Sequence, residues 1–370
     1  MIPYIVLILI AGICCFVAFE KKNGRTMLIL TASKRVQSYN VALPAFFVCL
    51  FFLLALRDVS VGSDTANYQY FFEKYSNMGI MAVLRAEDDV LYNLLMWLIG
   101  KITGSYQICL SIVAALTLYP VAKLYMEDRQ YSYLKITIFA TLPMFVLLFS
   151  GLRQWLAMSM GVIAYGYVRK GKLIQFLLAT LVAIGFHHSA FMLLPMYWIY
   201  HTQITTKSLR FVFPAIALVY IFNKQIFEFL TDLMSNYSEK YDGDVVTTGA
   251  YTSLILYLIF AIFCFAIPDR NSLDLEAKGL RNFLLFSVML QCFAPIHALS
   301  MRLNYFYIMF IPLTVTKCLR AAATRNAFWG KLAHIVMCVY FTLHFLNSHY
   351  EELLHGGGLH TVPYIPFWGG

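Results

Sequence analysis

Long runs of apolar residues, separated by short polar links, recur along the whole chain. Most of these runs approach the length of about 20 residues that an α-helix needs to cross a bilayer. The pattern predicts an all-α, polytopic membrane protein that forms a single integral membrane domain over residues 1–370. Twelve spans are expected, at residues 2–19, 41–56, 106–124, 134–149, 154–168, 172–187, 189–201, 210–222, 250–267, 282–299, 303–319 and 329–346.

One apolar run, residues 90–102, is too short for an ordinary span. It follows the acidic residues Glu87, Asp88 and Asp89. We therefore predict a short re-entrant or interfacial helix at 90–102. With this topology the main polar segments, 57–105, 223–249 and 348–370, lie on the outer side of the membrane.

Composition and charge agree with a membrane protein. The chain is 60% hydrophobic and only 13% charged, whereas soluble domains carry about 25% charged residues. The expected topology puts 20 of the 28 Lys and Arg residues on the inner side and 13 of the 19 acids on the outer side. This bias places both termini outside. The net charge of +9 does not indicate nucleic-acid binding, because no basic run is long enough or interleaved with aromatic residues.

The eight cysteines lie within or at the edge of apolar runs, and none is spaced from another as metal ligands are. We expect small buried residues rather than disulfides or a zinc site. No metal and no cofactor is predicted.

Three arginines stand out because each lies in or beside a link on the predicted outer side. They are Arg57, Arg153 and Arg302. An arginine at a helix end is often a simple interfacial anchor. Three of them facing one compartment would instead suit an anion with several oxygens, because guanidinium donates parallel hydrogen bonds to phosphate. A diphosphate at the level of the lipid headgroups fits this description.

Two histidines, His187 and His188, fall in another predicted outer turn. A histidine in an apolar turn commonly has a structural role, but imidazole also takes a proton readily near neutral pH. Asp64 is a second candidate for a general base. Its structural alternative is an N-cap for a helix at Thr65–Tyr75.

The segment that begins at Arg57 resembles the signature of the EpsG family of bacterial membrane proteins. Its sequence is Arg57-Asp58-x-x-Val61-Gly62-x-Asp64-Thr65-x-x-Tyr68. That family is similar to the Wzy-type polymerases of O-antigen, capsule and exopolysaccharide. Four further segments resemble family motifs in the expected order: Leu152-Arg153-Gln154-x-x-Ala157, Phe186-His187-x-Ser189-Ala190, Arg302-x-x-Tyr305 and Val362-Pro363-Tyr364.

The resemblance implies an inverting, metal-independent glycosyltransferase with a GT-C-like bundle of helices. It would polymerise repeat units at the outer face of the bacterial cytoplasmic membrane. Donor and acceptor would both be glycans on undecaprenyl diphosphate. The lipid bilayer, a chain-length regulator and a flippase are the further partners implied, and nucleic acid is not among them.

The residues themselves fit this chemistry without a metal ion, and they indicate roles for individual side chains. Arg57, Arg153 and Arg302 would stabilise the charge on the departing diphosphate. His187 would accept the proton of the acceptor hydroxyl, and Asp64 would orient His187 or Arg57, or act as the base itself. The further substrate-binding residues would be Tyr68, Gln154, His188 and Tyr305.

Other functions remain open from the sequence. A ligase that moves a finished glycan from the same lipid carrier would use the same arginines. A transporter or flippase of lipid-linked glycans would need ionisable residues midway along its helices and inverted repeats. A membrane acyltransferase would use one of the two histidines.

Overall fold

A computed structural model describes residues 1–22, 25–30, 40–86, 89–233, 248–266, 272–356 and 359–369. The described chain is helical apart from one antiparallel ribbon, β1 (Val17–Lys22) with β2 (Arg25–Leu30). The first helices are α1 Ile2–Cys14, α2 Ala42–Ala55, α3 Thr65–Asn77, α4 Ile80–Leu84, α5 Val90–Ile102, α6 Tyr106–Met126, α7 Ser132–Thr141, α8 Pro143–Leu147, α9 Leu152–Val168 and α10 Leu173–Phe186. A 3-10 helix, His188–Leu193, precedes α11 Met196–His201, α12 Thr206–Ile221, α13 Asn223–Leu233, α14 Thr248–Ala266, α15 Leu275–Gln291, α16 Ala298–Ile308, α17 Ile311–Arg325 and α18 Ala327–His355.

The chain divides into two compact units. The first unit contains Met1–Phe191 and Leu332–Gly370, and the second contains Met192–Lys331. In the first unit α9 packs on α10 and α6, α2 packs on α6 and α1, and α3 packs on α5. In the second unit α15 packs on α11, α14, α16 and α17.

The core of the first unit is rich in aromatic rings. The buried ring of Phe139 meets Phe46, Tyr125 and Trp155 edge to face, with centroids 5.6–6.2 Å apart. Such contacts add about 0.5–1.5 kcal/mol each beyond simple burial of area. The aromatic packing fixes α2, α6, α7 and α9 relative to one another, and α9 carries Arg153 at its start.

The second unit buries polar groups between its helices. The Asn304 amide donates to the Gln291 side-chain oxygen at 2.9 Å and to the Ser287 carbonyl at 3.0 Å. The Gln291 amide in turn donates to the Ala250 carbonyl at 3.2 Å. Hydrogen bonding of this kind makes burial of these side chains tolerable in an apolar surrounding.

The twelve predicted spans are not confirmed. Among the described residues, Tyr106–Met126 and Ala327–His355 are each long and apolar enough to cross a membrane. The number rises to four if each of two bent pairs is one span: Lys207–Ile221 with Asn223–Phe229, and Ser300–Ile308 with Ile311–Arg325. Several shorter apolar helices accompany them, so the helices remain those of a membrane protein.

Five predicted spans were wrong in detail. The helix within 282–299 ends at Gln291, and the run 303–319 is divided between α16 and α17. The helix expected at 2–19 ends at Cys14, and the chain enters β1 at Val17. The run 134–149 is broken between α7 and α8, because Pro143 lacks the backbone N–H needed to continue α7 and starts a new helix instead. The run 189–201 is a 3-10 helix followed by the short α11.

Other expectations hold. The short helix predicted at 90–102 is confirmed as α5, Val90–Ile102. The eight cysteines are free, and Cys109, Cys264, Cys292 and Cys318 are buried. Of the outer loop predicted at 223–249, residues 223–233 form the helix α13 instead, residues 234–247 lie outside the described residues, and α14 starts at Thr248.

Candidate active site

A buried carboxylate, that of Asp89, connects three elements of the first unit. Its side chain is only 1% exposed. Oδ2 accepts a hydrogen bond from Arg153 Nη1 at 2.9 Å and lies 3.1 Å from His187 Nδ1. Oδ1 accepts the backbone N–H of His188 at 3.2 Å and lies 3.4 Å from His188 Nδ1. We call Asp89, Arg153, His187 and His188 the Asp89 cluster.

Local structure places each member. Asp89 is the residue directly before α5 and has left-handed backbone angles, φ 45° and ψ 55°, which Asp tolerates better than most residues. His187 follows the last residue of α10 in extended conformation. The end of α10 lies close against α5: a Cβ on Gly185 would stand 2.7 Å from the Leu91 side chain. The glycine therefore permits the approach that brings His187 to Asp89.

The cluster holds Asp89 in its charged form. Burial alone would raise the pKa of this carboxyl group. Hydrogen bonds from His187 and His188, together with the positive charge of Arg153, outweigh burial and keep the pKa well below its usual range. With Nδ1 of His187 donating to Asp89, Nε2 is left as the proton-accepting nitrogen, and the His187 side chain is 20% exposed.

Arg153 lies between aromatic rings in the first turn of α9. Its guanidinium carbon is 5.7 Å from the ring centre of Tyr68 and 5.9 Å from that of Tyr92. Burial raises the pKa of Tyr68, and the positive charge of Arg153 partly opposes this rise. The Arg153 side chain remains 31% exposed, so part of it is open to a ligand.

Arg57 has a different environment from Arg153. It is 1% exposed, and it donates from Nη1 to the Leu54 carbonyl at 2.8 Å and from Nη2 to the Phe149 carbonyl at 3.3 Å. Burial lowers the pKa of its guanidinium, against the opposing influence of nearby tyrosines. In this arrangement Arg57 anchors the turn that precedes α9, and the prediction that it contacts substrate stays a prediction.

Residues 359–369, which we call the tail, lie along residues 56–63, which we call the Arg57 segment. The Asp58 N–H donates to the Ile365 carbonyl, and the Phe367 N–H donates to the Leu56 carbonyl, both at 2.9 Å. Gly62 donates to the His360 carbonyl at 2.9 Å. Two motifs from opposite ends of the sequence are therefore neighbours.

The remaining predicted site residues are more scattered. Asp64 precedes α3, as expected of an N-cap, but it makes no capping hydrogen bond through its side chain. Gln154 is buried in α9. Arg302 is exposed and Tyr305 buried in α16 of the second unit. Their predicted roles remain predictions.

The carboxylate in contact with His187 is Asp89, although the sequence suggested Asp64 for this place. The sequence carried a weak signal, because Asp89 ends an acidic run directly before an apolar helix. The neighbouring Glu87 and Asp88 lie outside the described residues. Asp89, His187 and His188 also offer donor atoms within 4.8 Å of one another, a spacing that could hold a metal ion.

Comparison with known proteins gave one positive result. The EpsG family model matches residues 40–364, most of the chain. The search of curated proteins and the search of solved structures gave no match. The matched range contains every member of the Asp89 cluster as well as Arg57 and Arg302. The chain therefore belongs to the EpsG family, which indicates a membrane protein with polysaccharide polymerase-like activity.

Proposed function

We propose that this protein is an inverting, metal-independent glycosyltransferase that polymerises undecaprenyl-diphosphate-linked repeat units into an O-antigen, capsular or exopolysaccharide. It would act at the outer face of the bacterial cytoplasmic membrane, with both termini on that side. The observation that supports this function most directly is the contact of Asp89 with both His187 and Arg153. A proton acceptor and a cationic group are thereby held side by side.

The reaction needs both groups. The acceptor hydroxyl oxygen attacks the anomeric carbon of the donor sugar from the face opposite the diphosphate. The new glycosidic bond forms while the bond from the anomeric carbon to the diphosphate oxygen breaks, and that oxygen leaves with the electron pair. His187 Nε2 takes the hydroxyl proton. Inversion at the anomeric carbon follows from the single displacement.

The cationic part of the site stabilises the leaving group. Arg153 donates to Asp89 through Nη1, and N–H groups of this partly exposed side chain would donate to the diphosphate oxygens as charge develops on them. Tyr68 and Tyr92 pack against the guanidinium and limit its rotation. Arg57 would act indirectly, by holding the turn before Arg153.

Asp89 has a positioning role in this proposal. Its carboxylate keeps the Nδ1 proton of His187 in place, so that Nε2 presents its lone pair. It also stabilises the imidazolium that forms when the acceptor proton arrives. The same carboxylate fixes Arg153 relative to His187.

The experiment is an elongation assay with purified full-length protein and a synthetic lipid-linked repeat unit, with and without EDTA. A ladder of products that EDTA does not diminish supports the proposal. Elongation only after addition of Mg²⁺ would overturn the metal-independent mechanism. Transfer of a single preformed glycan to another acceptor, without a ladder, would identify a ligase.

Matched variants sharpen the assay. Arg153→Gln should abolish elongation, because it removes the charge that faces the diphosphate. Arg169→Gln is the control, since Arg169 also pairs with a carboxylate, Glu127, at 2.5 Å but outside the cluster. Elongation by Arg153→Gln as fast as that by an active Arg169→Gln would refute the role of Arg153.

A further inference from the structure

We propose that Asp89, His187 and His188 form a binding site for a first-row transition-metal ion, and that the bound ion switches off His187 as a base. The three side chains bring together one carboxylate and two imidazoles, all within 4.8 Å. Imidazole with carboxylate is a donor set that suits Zn²⁺ and its neighbours rather than Mg²⁺.

The spacing of the donor atoms fits an ion placed between them. Bonds of about 2.0–2.1 Å at a tetrahedral angle put neighbouring donor atoms about 3.3 Å apart. Asp89 Oδ2 lies 3.1 Å from His187 Nδ1, and Oδ1 lies 3.4 Å from His188 Nδ1. A carboxylate that uses both oxygens would meet both imidazoles without a change of backbone.

The site is also reachable. Asp89 is buried, whereas His187 is 20% and His188 44% exposed. An ion could therefore enter from the histidine side and keep open positions for water. Because consecutive residues supply the two imidazoles at the start of the 3-10 helix, their spacing is set by one short turn.

Arg153 sets the strength of binding. Its Nη1 is 2.9 Å from the same Asp89 oxygen that faces His187. This positive charge repels a divalent cation and competes for the oxygen. We therefore expect modest affinity in the wild type, and tighter binding once the charge of Arg153 is removed.

Occupation of the site would block proton transfer. A metal ion takes the lone pair of His187 Nδ1, and the single proton of the neutral ring then resides on Nε2. Nε2 can no longer accept the proton of a hydroxyl group. This consequence rests on the proposed function, whereas metal binding itself does not.

The test measures Zn²⁺ binding to purified full-length protein without a histidine tag, by competition with a chromophoric chelator. Asp89→Asn and His188→Ala should each weaken binding by about 10–100-fold or more, and Arg153→Gln should strengthen it by about tenfold or more. His355→Ala is the control, because His355 pairs with one acid, Glu351, without a second histidine. Only variants that elute as a single folded species are compared.

The outcomes are separable. Zn²⁺ affinity that is unchanged in Asp89→Asn and His188→Ala, or no gain in Arg153→Gln, would overturn the site. If binding follows the expected order and Zn²⁺ stops elongation, both the site and the role of His187 are supported. If binding follows that order while elongation continues at full rate, the site stands and His187 is not the base.

Discussion

Asp89→Asn is the most informative single change, because it removes one charge while preserving the shape of the side chain. The wild-type carboxylate accepts hydrogen bonds from Arg153 Nη1, His187 Nδ1 and the His188 backbone. An asparagine has one oxygen and one NH₂ group. If the oxygen keeps the His188 N–H, the NH₂ group faces Arg153 and His187, and neither of those donors can pair with it.

The expected magnitude follows from these contacts. A hydrogen bond to a charged group contributes about 1.5–3 kcal/mol to stability, so loss of the Arg153 contact should lower the unfolding free energy by about that amount. The larger effect is on catalysis. The ring proton of His187 would move from Nδ1 to Nε2, so that Nδ1 can accept a hydrogen bond from the new NH₂ group. Nε2 then cannot take the hydroxyl proton, and elongation should slow by about 10²–10⁴-fold. That loss corresponds to about 2.7–5.4 kcal/mol in the activation barrier.

The assay separates positioning from general damage. The turnover number for elongation should fall with little change in KM, because the proton transfer occurs in the transition state. Glu127→Gln is the control, since it breaks the comparable but exposed pair with Arg169 and should leave elongation unchanged. Turnover of Asp89→Asn within threefold of wild type, roughly 0.6 kcal/mol, in folded protein would refute the proposed role of Asp89.

Three further predictions concern stability. Gly62→Ala should lower the free energy of unfolding by at least about 2 kcal/mol, because Gly62 has φ +99° and a Cβ would lie 2.1 Å from the Phe149 carbonyl oxygen. Gly79 has open space around it, so Gly79→Ala should leave the same free energy unchanged. The lowered pKa of Asp89 stabilises the fold above the unfolded value of 3.8, so the contribution of this charge to the stability difference between wild type and Asp89→Asn should be fully present above that pH. It should shrink as the pH falls towards the lower folded value; a constant difference throughout acid unfolding would contradict the charged carboxylate. Deletion of residues 359–369 should lower the thermal midpoint and make the Arg57 segment exchange amide hydrogens faster; unchanged exchange at Asp58 and Gly62 would show that the tail does not hold them.

Short-range signals in the sequence predicted individual elements well. The bounds of α5 followed from an acidic run giving way to an apolar one, and α3 begins at Thr65 as its expected N-cap indicated. Where the prediction was wrong, the cause was also local. Pro143 interrupts an apolar run that hydropathy alone reads as continuous, and the strand β1 takes residues that hydropathy assigned to the first helix.

The candidate site was only partly predictable, because its contacts are long-range. His187 and Arg153 stood out by residue type and motif. Asp89 did not, because it meets Arg153 across 64 residues and His187 across 98 residues of sequence, and no periodicity encodes such a pairing. Likewise, the sequence could not show that Arg57 donates its hydrogen bonds to backbone carbonyl groups.

The pairing of the tail with the Arg57 segment has a consequence for biogenesis. During translation, the Arg57 segment is made well before the tail that pairs with it. Until then the carbonyls and amides of Leu56, Asp58 and Gly62 lack the tail partners they have in the folded protein. A chain that stops before residue 359 would therefore lack these hydrogen-bond partners at the Arg57 segment.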